Sequence, residues 1–322
     1  MNEIWQSGAT SSRILTVTVN PAIDQTITIP NFRVGEVNRV IEERSDPGGK
    51  GVNVAAFLAD FGYAISATGL LGQENTDLFQ KLFLQKGIDD YFIRIPGKTR
   101  VNVKILDAVG QQVTDINYPG HLATVADVED LELVLMNLAT SHPWVVLAGS
   151  VPTSLPTTLY RDFITRLKAQ GNTVVLDASG ESLQAALSAT PDLVKPNLEE
   201  LEDLVGRSLP SEAAIAAAAQ DLVRQGIRYV VVSMGAQGAI LASADTVIHA
   251  QPPAVTPKST VGAGDAMLAG LVTALKRGYD LAACGRLATG FAVAALGQVG
   301  HCPLMPETVA AWCDRVTIRP LL

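Results

Sequence analysis

Short β-branched runs at residues 65–71, 144–147, 173–176, 193–195 and 229–233 alternate with stretches of helical periodicity at 75–85, 128–138, 158–169 and 212–224. Strands that alternate with helices read as βαβ units, and the parallel sheet they build is covered by helices on both faces. Ile14-Leu15-Thr16-Val17-Thr18-Val19-Asn20 is a further run of strand length, suited to an edge or a central strand of that sheet. The expected fold class is therefore α/β with a mainly parallel central sheet. No linker, repeat or low-complexity tract divides the 322 residues, so residues 1–322 read as one domain. The alanine-rich 213–219 is what a surface helix can carry.

Two regions fall outside this rhythm. Thr26-Ile27-Thr28-Ile29 alternates, Pro30-Asn31 turns, and 37–43 alternates less cleanly; 100–105 and 112–118 alternate again across a Val109-Gly110 turn. Period-two patterning of this kind belongs to strands half exposed to water. Residues 24–46 and 98–120 are expected to form a small β-sheet lid inserted into the α/β body.

Composition excludes several functions. Lys and Arg number 24 against 32 Asp and Glu, a net charge of −8, whereas a nucleic-acid binder leaves a basic footprint. Cys284, Cys302 and Cys313 are odd in number and lack C-x-x-C spacing, which suits a reducing compartment and neither a disulfide framework nor a zinc site. Residues 1–12 form a polar extension without an apolar signal core, and no run approaches the roughly 18 apolar residues of a membrane span. A soluble cytoplasmic protein is expected.

The chemistry concentrates in Ser259-Thr260-Val261-Gly262-Ala263-Gly264-Asp265-Ala266-Met267. Leu268, Leu271, Val272 and Leu275 follow at helical spacing, so the glycines open a helix. Bare amides of Gly262, Ala263 and Gly264 at the positive end of a helix make an anion site. Asp265 fits either a helix cap or a general base, and the helix end is expected to lower its pKa. Asn20-Pro21-Ala22-Ile23-Asp24 places an acid just past a strand, where ligands of open α/β sheets collect, although Asp24 also suits a simple turn. Pro47-Gly48-Gly49-Lys50-Gly51-Val52-Asn53 is not a Walker A loop, because glycine follows the lysine. It reads either as a hinge with Asn53 as the cap of the next helix, or as a loop that contacts a polyol or an anion.

Lys195-Pro196-Asn197-Leu198-Glu199-Glu200 has the spacing of a capping box, with Asn197 as cap and Glu200 at the third helical position; its functional alternative is a polar corner for a nucleotide phosphate and Mg²⁺. Ser233, Gly235 and Gly238 suit a tight turn or a wall against a nucleotide, and the Rossmann spacing G-x-G-x-x-G is absent. Arg100, Asn102 and Lys104 fall on one strand face, either solvated or gripping a phosphate.

Taken together, Asn20–Asp24, Gly48–Asn53, Lys195-Pro196-Asn197-x-x-Glu200 and Val261–Asp265 resemble the motifs of the ribokinase-like (PfkB) carbohydrate kinases, in that family's order and across nearly the whole chain. Thr99–Lys104, Thr114-Asp115-Ile116-Asn117 and Gly149-Ser150-Val151-Pro152 look like its bacterial 1-phosphofructokinase branch. The resemblance implies a three-layer α/β/α fold. It also implies ATP- and Mg²⁺-dependent transfer of the γ-phosphoryl group to a sugar hydroxyl, converting fructose 1-phosphate to fructose 1,6-bisphosphate. Tagatose 6-phosphate and fructose 6-phosphate are the neighbouring alternatives, and a non-catalytic sugar-phosphate sensor is the rival from another class. By the same resemblance Asp265 is the base and Gly262–Gly264 the anion hole. Asp24, Gly48, Gly49, Lys50, Asn53, Arg100, Asn102, Lys104 and Ser150 would meet the sugar phosphate, with Arg100 on its phosphate. Lys195, Asn197, Glu200, Ser233, Gly235 and Gly238 would line the ATP side, Glu200 holding Mg²⁺ through water. The lid's edge strands invite pairing with a second copy, and a homodimer through the lid is expected.

Overall fold

The computed structural model describes residues 13–321, except 108, 111, 121, 122, 299 and 301. The polar extension 1–12 lies outside the described residues. The larger sheet begins with β1 (Ile14–Thr18), whose five residues are all buried, flanked in parallel by β4 (Ile65–Gly72) and β9 (Trp144–Ala148). Beyond β9 come β10 (Thr173–Asp177), β11 (Leu193–Val194) and β12 (Tyr229–Ser233), also parallel. β1 is thus central.

Period two sorts the strands between two apolar layers. Ile14, Val146, Val175 and Val231 face one core, packed by α1 (Lys50–Asp60), α2 (Asp77–Lys86), α8 (Ala263–Lys276), α9 (Leu281–Leu296) and α10 (Pro306–Cys313). Leu15, Val17, Val145, Leu147, Val174 and Leu176 face the other, packed by α3 (Val125–Ala139), α4 (Leu159–Ala169), α5 (Gly180–Leu187), α6 (Leu198–Val205) and α7 (Glu212–Arg224). The result is the expected three layers. In α7 the alanines are only partly a surface feature: Ala216, Ala218 and Ala219 are buried with Ile215, where small side chains let the helix lie close to the sheet.

The sheet ends in antiparallel β13 (Ala239–Ala242), β14 (Val247–Gln251) and β15 (Thr317–Pro320), so it is mainly rather than wholly parallel. On the other side, short β5 (Asp89–Asp90) and β6 (Ile93–Ile95) pair with β4.

A separate four-stranded sheet has the order β3 (Glu42–Gly48), β2 (Ala22–Thr28), β7 (Arg100–Asp107), β8 (Gln112–Ile116). The alternation read at 37–43 misplaces one strand: Ile41 is exposed and β3 begins at Glu42, pairing along the backbone with β2 up to Ala22 opposite Gly48. Charged and turn-forming side chains, EERSDPG, hide that strand from a hydrophobic pattern. Asp24 is accordingly not a turn residue. It sits inside β2, between Asp46 on β3 and Asn102 on β7.

Candidate active site

The site forms where α1 and α8 begin. Gly49 caps α1 with φ +115°, a backbone state open to glycine, and this starts the helix at Lys50. Asn53 is therefore within the first turns and not the cap expected from its position. Gly262, at φ +76°, caps α8, and Ala263 and Gly264 are its first two residues. Asp265 is the third, and its side chain makes no capping bond. It instead accepts a hydrogen bond from Asn53 Nδ2 at 2.7 Å, so the starts of the two helices are joined across the site.

Asp265 is 7% exposed. Burial, with the charge of Asp177 second, pushes its pKa up to about 6, against the opposing pull of Lys50, the Asn53 bond and Lys195. The lowering expected from the helix end is thus overturned: desolvation of the carboxylate outweighs the helix dipole. A carboxyl group with that pKa is a better base near neutrality than an ordinary aspartate.

Asp177 is a residue that the sequence reading passed over. It ends β10 on the face of Val175, towards α1 and α8, and its side chain is fully buried. Lys50 Nζ donates to its Oδ1 at 2.8 Å, and Lys195 Nζ lies 3.0 Å from its Oδ2. Burial opposes ionisation, yet the two ammonium groups hold the carboxyl below the usual range. Burial likewise pulls Lys50 down, but Asp177 and Asp265 hold it above an ordinary lysine. The signal for Asp177 was available: an acid at the carboxyl end of a parallel strand, as for Asp24.

The first turn of α8 stands between two cavities. A polar one of about 440 Å³ is lined by Asp24, Lys50, Asn53, Arg100, Ser150 and Asp265, with Gly262 in its wall. A lobe of about 280 Å³ extends it past Asp24 and Asn102 to Lys104, whose ammonium is paired with Asp115. On the far side, an apolar cavity of about 500 Å³ is walled by Ala263 and Gly264, Ser233, Gly235, Gly238, Pro252 and Met267.

Several expected residues are placed less directly. Gly48 lies under Asp24 at the end of β3: a Cβ there would fall 2.1 Å from Asp24 Oδ2. Asn102 Nδ2 donates to Asp24 Oδ1 at 3.2 Å. Arg100 donates to the carbonyls of Asn20 (3.0 Å), Pro21 (3.3 Å) and Tyr118 (2.6 Å), tying β7 to the link between β1 and β2 and to the segment after β8. Ser150 Oγ accepts from Asn20 Nδ2 at 3.0 Å. Lys195 reaches the anion turn, its Nζ 3.6 Å from where a Cβ of Gly264 would sit. Asn197 and Glu200 form the complete capping box of α6, each accepting a backbone N–H of the other at 2.8 Å. Glu200 also lines a cleft of about 190 Å³ with Gly180 and Asp203, away from the apolar cavity.

Comparison with known proteins identifies the family of the chain. The model of the pfkB family carbohydrate kinases matches residues 17–308. The chain belongs to this family. It is 47% identical over 311 residues to a 1-phosphofructokinase of Rhodobacter capsulatus, covering 96% of this chain and 98% of the relative. To the 1-phosphofructokinase of Escherichia coli K12 it is 39% identical over 310 residues, covering 96% and 99%. Among solved structures, phosphofructokinase-2 from Escherichia coli in complex with substrates and products superposes with a TM-score of 0.88 at 28% identity, covering 94% of this chain and 98% of the other. Among the described residues, no helix is long and apolar enough to cross a membrane.

Proposed function

We infer that the chain is an ATP-dependent phosphotransferase that converts D-fructose 1-phosphate to fructose 1,6-bisphosphate, taking the 6-hydroxyl as acceptor. The observation that carries this is the first turn of α8, which offers Gly262 and Asp265 to the polar cavity and Ala263 and Gly264 to the apolar one. The high identity to 1-phosphofructokinases over the full length supports the acceptor.

The sugar lies against Asp24, Asn53 and Asn102, and the adenine against the apolar wall near Pro252 and Met267. The acceptor oxygen attacks the γ-phosphorus in line, the bond from phosphorus to the bridging oxygen breaks, and ADP departs. Asp265 takes the proton of the hydroxyl, late in a loose transition state. Amides of the α8 turn, with Lys50 and Lys195, meet the negative charge of the moving group. The smaller sheet, carried by residues 24–46 and 98–120 of one α/β unit, acts as the lid that excludes water as a competing acceptor.

Mg²⁺ bound to the ATP phosphates supplies neutralisation of their charge. Mg²⁺ on nucleotides keeps most of its water and uses few carboxylates, a demand that one carboxylate in the first turn of α6 would meet. Glu200 would hold it through water, with Lys195, Asn197, Ser233, Gly235 and Gly238 on the nucleotide side. We place the enzyme in the cytoplasm, as a homodimer through the lid, where Val113 and Ile116 of β8 are exposed.

By the family resemblance Arg100, which lines the polar cavity, would meet the phosphate already on the sugar by giving up bonds to backbone carbonyls, and Lys104 shares its strand face. Arg100→Ala should therefore raise KM for fructose 1-phosphate by roughly 10-fold or more, with KM for ATP nearly unchanged. Equal rises in both would remove Arg100 from phosphate reading. The reading itself is tested by ADP release with Mg·ATP against fructose 1-phosphate, fructose 6-phosphate, tagatose 6-phosphate, fructose and ribose. The expected result is a kcat/KM highest by far for fructose 1-phosphate. A preference for a 6-phosphate would reverse the substrate's orientation but keep the kinase, and no turnover with any sugar would leave a sensor.

A further inference from the structure

Asp177 joins two cations that arrive from opposite sides of the site. Lys50 stands at the start of α1 and lines the polar cavity, while Lys195 follows β11 and approaches Gly264 in the wall of the apolar one. Both reach a single carboxylate with no exposed side-chain surface, at 2.8 and 3.0 Å. An isolated carboxylate at this depth would be costly, and one partner would suffice to neutralise it. Two leave the trio with one net positive charge, between the cavities and beside Asp265.

We propose that Asp177 is a positioning residue for phosphoryl transfer, clasping Lys50 and Lys195 so that their ammonium groups stand fixed on either side of the phosphoryl path before substrates arrive. The proposal rests on the kinase reading above. A lysine ammonium rides on a flexible four-carbon stem and does not hold one place by itself. Anchoring both to the end of a covered strand removes the reorganisation that free lysines would need during transfer. Lys50 hydrogen-bonds one carboxylate oxygen and Lys195 is ion-paired with the other, so Asp177 acts through these neighbours rather than on the phosphates.

The test compares wild type, Asp177→Asn and Asp177→Glu for kcat and KM of both substrates, the pH profile and the thermal midpoint. Asp177→Asn should lose about 10²-fold in kcat. The acid limb of its profile should also move to lower pH. Asn53 and Lys50 on α1, Lys195 after β11 and Asp177 on β10 act on Asp265 most directly, while Asp24 on β2 and Arg100 on β7 line the same cavity; the substitution removes the carboxylate charge that raises the pKa of Asp265. Asp177→Glu keeps the charge but moves the carboxylate, so its limb should stay near wild type while kcat falls by roughly 10-fold at an unchanged midpoint. A folded Asp177→Asn with near-normal kcat, or with lost activity and an unmoved limb, would overturn the proposal. If Asp177→Asn does not fold, Asp177→Glu decides, and wild-type kcat there overturns it. A wild-type protein that turns over no sugar phosphate would remove the kinase reading, and this role with it.

Discussion

Asp265→Asn should lower kcat by roughly 10²–10⁴-fold, the usual cost of removing a general base, with KM for both substrates close to wild type. The asparagine is isosteric and can still bond to Asn53, which keeps the joint between α1 and α8. On the proposed reading what is lost is the proton acceptor, and the surviving rate reflects the amides of the α8 turn and the two lysines, both of which Asp177 still holds. Near-normal turnover in this variant would reduce Asp265 to a structural member of the helix start.

The second large effect is steric and lies at Gly48. A Cβ there would stand 2.1 Å from Asp24 Oδ2 and 2.7 Å from its Cγ, closer than real Cβ atoms come, and in tight contact at 3.1 Å with the carbonyl oxygen of Ala22. The carboxylate is the part able to move, so Gly48→Ala should swing Asp24 away and break its bond with Asn102. A hydroxyl-binding group displaced by about 1 Å can cost about 10²-fold. We expect kcat/KM for the sugar phosphate to fall by that order while KM for ATP is kept. Equal losses for both substrates, or none, would show that Asp24 does not hold the sugar.

The architecture was legible because the buried strands of a parallel sheet are nearly all apolar. The limits of β12 and α7 agree with the pattern to the residue, and β1, β4, β9 and β10 to within one or two. β3 was not legible, since its pairing with β2 is a backbone property and its first three side chains are charged and exposed. β13 and β14, at four and five residues, were not marked as strands by the sequence, although Gly235 and Gly238 before them suit a tight turn or a wall.

The site was legible in its residue types and less so in its electrostatics. Glycines and acids mark the starts of α1 and α8, and a capping box marks α6. The cap of α1, however, is Gly49 rather than Asn53, because a glycine at positive φ lets the helix begin sooner. The helix dipole at Asp265 can be read from sequence, whereas burial among Lys50, Asp177 and Lys195 cannot, and burial reverses the direction of the shift. Asp177 itself lies one residue beyond the apolar run of its strand, so its partners, more than a hundred residues away for Lys50, appear only in the fold.

The most direct test of the central claim is the pH dependence of kcat/KM for fructose 1-phosphate. Asp265 serves as base only when ionised, and it is protonated below its pKa of about 6. The rate should therefore be full above that value and fall as pH drops through it, along a one-proton limb absent from the residual activity of Asp265→Asn. A profile that stays flat through pH 6, or a limb that persists in the variant, would contradict the assignment of Asp265 as the base.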